Sequence, residues 1–256
     1  MLDITILGSG TSTGVPLIGC DCEVCTSKDP RDSRLRTSIK IVSKNTSVVI
    51  DTTPDFRYQM LRTQTTHLDG VVFTHPHRDH YAGLDDIRPF NFHSNKPMQI
   101  YANEITQVAI KRDFYYAFEK NKDAGLPEMI LHTIKEDQPF TIGDLKFMPI
   151  QVMHREMPVL GFRINDFVYI TDVNFISDQE KEKIKGAKLM ILSALRPQPH
   201  PTHFTLEQSI ALATELNIPQ VYFTHFSHQI GLQSLTEPQL PSFIKMAYDG
   251  LQFTVD

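Results

Sequence analysis

Thr74-His75-Pro76-His77-Arg78-Asp79-His80 packs three imidazoles and a carboxylate into six residues, in the pattern H-x-H-x-D-H. Imidazole is the commonest nitrogen ligand for zinc, iron and nickel, and a carboxylate adds a hard oxygen donor able to hold a second ion. The run follows Leu68-Asp69-Gly70-Val71-Val72-Phe73, whose apolar end reads as a buried strand. The ligands then sit on a loop leaving the carboxyl end of a strand, where α/β proteins place their chemistry. The plain alternative is a solvated histidine-rich loop, and the rest of the chain argues against it.

Outward from this motif, the same setting recurs. His154 ends Met148-Pro149-Ile150-Gln151-Val152-Met153, Asp172 follows Val168-Tyr169-Ile170 through Thr171, and His225 follows Val221-Tyr222-Phe223 through Thr224. Taken singly, each is an ordinary hydrogen-bonded loop residue. A polar ligand repeated after apolar strands points instead to convergence on one site. The cysteines of the chain, Cys20, Cys22 and Cys25, form C-x-C-x2-C. An odd number within six residues is a poor disulfide framework and a good soft-metal site. Three thiolates want a fourth ligand to close a zinc tetrahedron, and His228, three residues beyond His225, is the best candidate. Asp51, after Val48-Val49-Ile50, reads equally as a turn former or as a carboxylate orienting a metal-bound histidine. Gly8-x-Gly10-x3-Gly14 fails as a dinucleotide fingerprint, because a segment rich in Pro and Cys replaces the required helix. Its glycines read as tight turns near the site.

Strands are expected at 4–7, 38–42, 47–50, 71–73, 145–152, 161–164, 167–170, 189–192 and 221–223, and helices at about 81–88 and 104–119. The segment 121–127 reads as a loop. Ser177-Asp178-Gln179-Glu180 and Thr205-Leu206-Glu207-Gln208 read as capping boxes opening further helices. Two batches of strands with helices between and after them suggest two mixed sheets sandwiched by helices. The 256 residues, 41% of them hydrophobic, fit one domain over 1–256 with a small metal loop at about 19–26. No apolar stretch reaches membrane-span length, and Met1-Leu2-Asp3-Ile4 lacks a basic secretory n-region, so a cytoplasmic protein without a membrane partner is expected. A net charge of −5 without a Lys/Arg cluster argues against a nucleic-acid partner. Arg34, Arg36 and Arg88 could meet a substrate phosphate, but solvated surface arginines are the commoner case, and they read as such.

The order His75-x-His77-x-Asp79-His80, His154, Asp172 and His225 resembles the metallo-β-lactamase superfamily over nearly the whole chain. The resemblance implies an α/β fold, the αββα sandwich, with a dinuclear site at one edge of the two sheets. It implies that His75, His77 and His154 hold one ion, that Asp79, His80 and His225 hold the other, and that Asp172 bridges them. Zinc, manganese or iron suits such ligands. Two divalent ions about 3.5–4 Å apart, sharing a hydroxide, suit hydrolysis. The segment Gly8-Ser9-Gly10-Thr11-Ser12-Thr13-Gly14-Val15-Pro16, the three cysteines and His80-Tyr81-Ala82-Gly83-Leu84-Asp85-Asp86-Ile87-Arg88 resemble the PhnP-type cyclic-phosphate phosphodiesterases. That resemblance implies a structural zinc on Cys20, Cys22, Cys25 and His228, and the opening of a cyclic ribose phosphodiester. In phosphodiesterases of this superfamily a histidine just before a helix contacts phosphate and protonates the leaving oxygen. In Pro199-His200-Pro201-Thr202-His203-Phe204-Thr205, His203 fits that place and His200 is the reserve.

The expected function is hydrolysis of a small phosphodiester by a metal-bridging hydroxide, with two active-site ions and one structural zinc. A homodimer is the assembly considered. Rivals in the superfamily are a tRNA 3′-processing endonuclease, opposed by the absence of a long basic insertion, and a thioester hydrolase, opposed by the cysteine cluster and His203. A flavodiiron oxidoreductase would need a carboxylate at His77 and a flavin domain. A non-catalytic zinc sensor or scaffold is the rival outside enzymes, and seven active-site ligand residues argue against it.

Overall fold

Strands that are apolar on both faces need cover on both faces. In the computed structural model, which describes residues 1–119 and 125–255, stacking two sheets between helices supplies that cover. The first sheet contains β1 (Leu2–Gly8), β2 (Ser38–Val42), β3 (Ser47–Ile50), β4 (Gly70–Val72), β5 (Met98–Ala102) and β6 (Met129–Thr133) in that order. The second contains β7 (Phe140–Ile142), β8 (Leu145–His154), β9 (Met157–Ile164), β10 (Phe167–Ile170), β11 (Leu189–Ser193), β12 (Gln220–Thr224) and β13 (Ile244–Met246), also in order. β14 (Gln252–Val255) returns to the first sheet beside β1. Each sheet is antiparallel through its early strands and becomes parallel at β3–β4 in the first and β10–β11 in the second.

Alternation decides which layer each side chain joins. Phe167 and Tyr169 of β10 pack with Ile4, Ile6, Ile39 and Ile50 in the core between the sheets. Val168 and Ile170 face outward with Leu212, Ala213 and Leu216 beneath the helical layer. On the other outer face Val49, Val71 and Ile100 pack with Phe56, Phe90 and Ile110. No helix among the described residues is long and apolar enough to cross a membrane.

The helix expected over 81–88 is three pieces: α2 (Arg78–Tyr81), a 3-10 turn at Leu84–Ile87 and α3 (Arg88–Ser94). Gly83 breaks it, because its backbone presses on Thr53, whose carbonyl oxygen would lie 2.1 Å from any Cβ at that position. The helix expected over 104–119 stops at Asp113 and gives way to a 3-10 turn, Tyr115–Phe118. Of the loop expected at 121–127, residues 121–124 lie outside the described residues. Thr205 and Gln208 form a full capping box on the helix Leu206–Glu215. Ser177 caps the helix Asp178–Ile184, but the box is only half made, since the Glu180 carboxylate accepts from the backbone N–H of Gln151 and pairs with Lys183.

Two further readings are corrected. Gly8 is not at a tight turn. A side chain there would strike the Arg36 carbonyl oxygen at 2.0 Å, so it serves close backbone approach, whereas Gly14, at φ 66°, does turn. Arg34 is not solvated: its guanidinium is buried, donates to Ser9 Oγ, Ala247 O and Gln233 Oε1, and lies over the Phe226 ring.

Candidate metal centre

The edge where the parallel parts of both sheets end collects the predicted ligands. His75, His77, Asp79 and His80 follow β4, His154 ends β8, Asp172 follows β10 and His225 follows β12. Three groups have ligand atoms lying within 4.8 Å of one another: His75, His80 and Asp172; Asp79, His80 and His225; and His154, Asp172 and His203. Asp172 and His80 each belong to two of them. His77 is exposed on the rim, with Nδ1 3.1 Å from His75 Nε2 and its ring 5.2 Å from that of His154. The expected trio of Asp79, His80 and His225 is thus together. The other trio is looser, with His75 tied more closely to His80 and Asp172.

Asp51 and Thr74 set which nitrogens face the site. The fully buried Asp51 carboxylate accepts from Thr74 N at 2.9 Å, Thr74 Oγ1 at 2.8 Å and His80 Nδ1 at 2.7 Å. Thr74 spends its only proton on Asp51, so its oxygen accepts from His75 Nδ1, 2.9 Å away. Both rings therefore carry a proton on Nδ1 and turn Nε2 inward, the arrangement that outer carboxylates impose on metal-ligating histidines. Of the two readings of Asp51, this geometry selects the orienting carboxylate. Thr74, and Thr171, whose Oγ1 donates to Asp172 Oδ2 at 2.7 Å, were not singled out from sequence. Their signal was there: a threonine immediately precedes His75, Asp172 and His225.

The donors fit metal ions. His80 Nε2 lies 3.3 Å from Asp79 Oδ2 and 3.2 Å from Asp172 Oδ2, and His225 Nε2 lies 3.2 Å from Asp172 Oδ1. Lone pairs facing carboxylate oxygens repel unless a proton or a cation lies between them. His154 Nδ1, His203 Nδ1 and both His225 nitrogens are buried without a hydrogen-bond partner, and an ion held by His154 and His225 would satisfy one nitrogen of each of those two rings. The electrostatics agree. Burial pushes Asp172 up, yet the charges of His225 and His80 more than offset it and hold the carboxyl well below its ordinary range. His80 is driven the other way, well above the usual imidazole value. Burial opposes that rise, and Asp172, Asp51 and Asp79 overcome it.

His203 stands over this centre. Its ring lies 4.5 Å from that of His154 and 4.9 Å from that of His225, and burial, then the His225 charge, pushes its pKa down to about 3. His200 is half-buried, contacts Thr202 Oγ1 at 3.1 Å and stays outside the ligand groups.

The second predicted cluster also assembles. The sulfurs of Cys20, Cys22 and Cys25 lie 3.4, 3.3 and 3.6 Å from His228 Nδ1. A zinc tetrahedron with ordinary Zn–S and Zn–N bonds has edges of about 3.5 Å. Three nearly equal distances describe a cage, not a single Cys–His pair. The Cys22 thiol is pushed down to about 6, chiefly by the Cys25 backbone N–H and then by His228, whereas burial pushes Cys25 up to about 11.

The comparisons with known proteins agree with this geometry. A family model for the beta-lactamase superfamily domain matches residues 46–226. The crystal structure of a diphosphatase from the PhnP family superposes with a TM-score of 0.93 at 40% identity, covering 100% of this chain and 98% of that one. Zn(2+)-bound PqqB from Methylobacterium extorquens shares the fold, with a TM-score of 0.80 at 19% identity over 99% of this chain and 100% of that one. An octanoyltransferase of Porphyromonas gingivalis is 38% identical over 98% of this chain and 51% of that protein. The chain spans about half the length of the curated relatives it matches. The chain belongs to the β-lactamase superfamily and, within it, to the PhnP family, with the αββα fold and the divalent-metal hydrolase framework of that superfamily.

Proposed function

We propose that this PhnP-family member is a phosphodiesterase that cleaves small substrates at a phosphorus carrying two substituents, a cyclic ribose phosphate among them. The observation that supports this reading best is His203, a buried imidazole whose ring nitrogen lies within 4.8 Å of ligand atoms of His154 and Asp172. His75, His77 and His154 would hold one ion, Asp79, His80 and His225 the other, and Asp172 both. Zinc, manganese or iron fits these donors, and such ions supply Lewis-acid charge to the phosphoryl oxygens and acidify water. Cys20, Cys22, Cys25 and His228 would hold a structural zinc apart from the reaction.

The chain's own residues do the rest. Asp51 and Thr74 keep His75 and His80 in the tautomer that faces the site. His203 contacts the phosphate and passes a proton to the departing oxygen. Burial alone disfavours the protonated ring, and an anionic phosphate against it acts in the opposite direction. An alkoxide leaving group needs that proton, whereas p-nitrophenolate does not. His203→Ala therefore costs about 10²–10⁴-fold on an alkyl or cyclic ribose diester and much less on an aryl diester, at unchanged metal content. Equal losses on both substrates reject the acid role. Failure of the metal-loaded wild type to cleave any phosphodiester rejects the proposal itself. An octanoyl thioester belongs in the same assay, since the P. gingivalis relative is named for octanoyl transfer.

A further inference from the structure

Arg34 is a buried cation whose hydrogen bonds go to neutral acceptors. The residue is 2% exposed and donates to Ser9 Oγ at 3.0 Å, Ala247 O at 2.7 Å and Gln233 Oε1 at 2.8 Å. Two carboxylates stand one residue behind these partners. Asp249 accepts from Ser9 Oγ at 2.8 Å, and Asp32 accepts from Gln233 N at 2.8 Å. Burial pushes the Arg34 pKa down to about 10, against the charges of Asp249 and Asp32, so the group is cationic at neutral pH. Taking a guanidinium out of water is costly, and leaving its acceptors unpaired is costly again. The segments it bonds are therefore held together stiffly.

Those segments lead to both metal clusters. On one side, Arg34 N donates to Val15 O at 2.7 Å and Val15 N donates to Arg34 O at 2.8 Å. Leu17, two residues on, donates its N–H to Cys25 Sγ at 3.3 Å. On the other side, the guanidinium lies 4.6 Å from the centre of the Phe226 ring, and Phe226 stands between His225 and His228 in the chain. The Phe226 backbone pairs with Ser9 and Thr11, and Ser9 holds the Arg34 Nη1 bond. Gln233, which follows the turn His228–Ile230, holds Nη2. One side chain thus joins the loop that leads to the cysteines and the segment that carries His225 and His228.

We propose that Arg34 is a positioning residue that couples the two metal clusters, so that zinc in the cysteine cage holds His225 in place and tightens ion binding at the His/Asp centre. With the cage empty, the segment after Phe226 is released at His228, and the pairing that aims His225 has slack on one side. Arg34 transmits the difference because it grips Ser9 before that segment and Gln233 after it. Linkage requires the converse, so an ion at the centre tightens the cage. The inference rests on the two metal clusters and not on phosphodiester specificity.

The test titrates manganese calorimetrically into the full chain, with the His/Asp centre stripped and the cage either filled with zinc or emptied. Manganese is the probe because imidazole and carboxylate ligands suit it and thiolates do not. The chain has 3 cysteines, all in the cage, so a mercurial thiol reagent empties that cluster alone. The Cys22→Ser, Cys25→Ser double variant gives the same state without the bulk of the reagent. Emptying the cage lowers manganese affinity about tenfold, an ordinary size for coupling between sites. In Arg34→Met, which keeps the apolar stem and drops the charge, the ratio between filled and empty states falls to about one. In Arg34→Lys, which keeps the charge and loses the fork, it lies between. A role in stability alone would lower Tm and leave the ratio at its wild-type value. If Arg34→Met does not fold, Arg34→Lys and the wild type carry the test. Equal manganese affinity with the cage filled and empty in the wild type overturns the proposal, and so does a wild-type ratio kept by the folded Arg34 variants. A wild type whose cysteines hold no zinc removes the cage and this coupling, and leaves the phosphodiesterase reading standing. Failure to cleave phosphodiesters rejects that reading and leaves the coupling to be measured.

Discussion

Asp51→Asn isolates the orientation of the ligands from the ligands themselves. Asp51 has φ 68°, a left-handed conformation that Asn tolerates about as well as Asp, so the backbone stays where it is. The shape is kept, and only one acceptor becomes a donor. If the amide oxygen retains the Thr74 N–H bond, the amide nitrogen faces Thr74 Oγ1 and His80 Nδ1, which lie 2.8 and 2.7 Å from Asp51 Oδ2. His80 must then move its proton to Nε2, the nitrogen that faces Asp79 and Asp172. Thr74 Oγ1 then accepts from the amide, and its own proton, with no carboxylate left to take it, competes with the Nδ1 proton of His75, 2.9 Å away. Two inward lone pairs are disturbed by one atom change. Loss of an outer partner of this kind commonly costs 10–100-fold in metal affinity or activity, and two affected ligands place the variant at the upper end, near 100-fold. The cost in stability is smaller, about 1–3 kcal/mol for the lost charge-assisted bonds, with relief of a buried charge in partial compensation. Chelator competition with metal analysis measures the affinity, and thermal unfolding measures the stability. Wild-type metal affinity in a folded Asp51→Asn chain would refute this account of the site.

Further outcomes follow from the two clusters. Mild chelation abolishes activity while about one zinc per chain stays on Cys20, Cys22, Cys25 and His228, because a closed thiolate cage exchanges more slowly than an open His/Asp site. Metal analysis showing no residual zinc in a folded chain would count against the cage. Asp172→Ala lowers metal loading and turnover together, by about 100-fold or more, since the residue joins two ligand groups. Full occupancy and activity in that variant would remove Asp172 from the centre.

How much of this was legible in the sequence varies with the physics of each residue. The ligand motif and the strand-end setting of His154, Asp172 and His225 were readable because apolar strands ending in a polar residue are local patterns. The cysteine cluster was readable by composition, but its closure by His228 depends on contact across more than 200 residues, which spacing only suggests. Asp51 stayed ambiguous because its partners, Thr74 and His80, come from another strand end. Arg34 was misread because arginine is usually exposed, and only the assembled loop supplies the acceptors that let it be buried. The short strands β5, β6, β7, β13 and β14 escaped, since three to five residues of mixed polarity carry little periodic signal.

Backbone conformation was the least legible layer, and it explains why the ligands converge. Asp51, Asp172 and His225 all have positive φ, at 68°, 51° and 62°. None is glycine, and such conformations cost about 1–3 kcal/mol each where the side chain is larger. Each stands just beyond a buried parallel strand, where the chain must turn sharply to aim a side chain back over the sheet edge instead of along the strand. Asp and His are among the residues that tolerate this region best, so the chemistry of the site and the geometry of the turn select the same residue types. The segment after β12 shows how the turn is held. Phe226 donates to Ser9 O and accepts from Thr11 N, both at 2.9 Å, and its buried ring lies under the Arg34 guanidinium. His225 lies on one side of this anchor and His228 two residues beyond it on the other. The strap therefore feeds one imidazole to the His/Asp groups and another to the cysteines, and the glycine-rich loop that holds it runs on into the cysteine loop. The ends of β1 and β12 thus meet at one point, where a single buried backbone pairing fixes a ligand of each cluster.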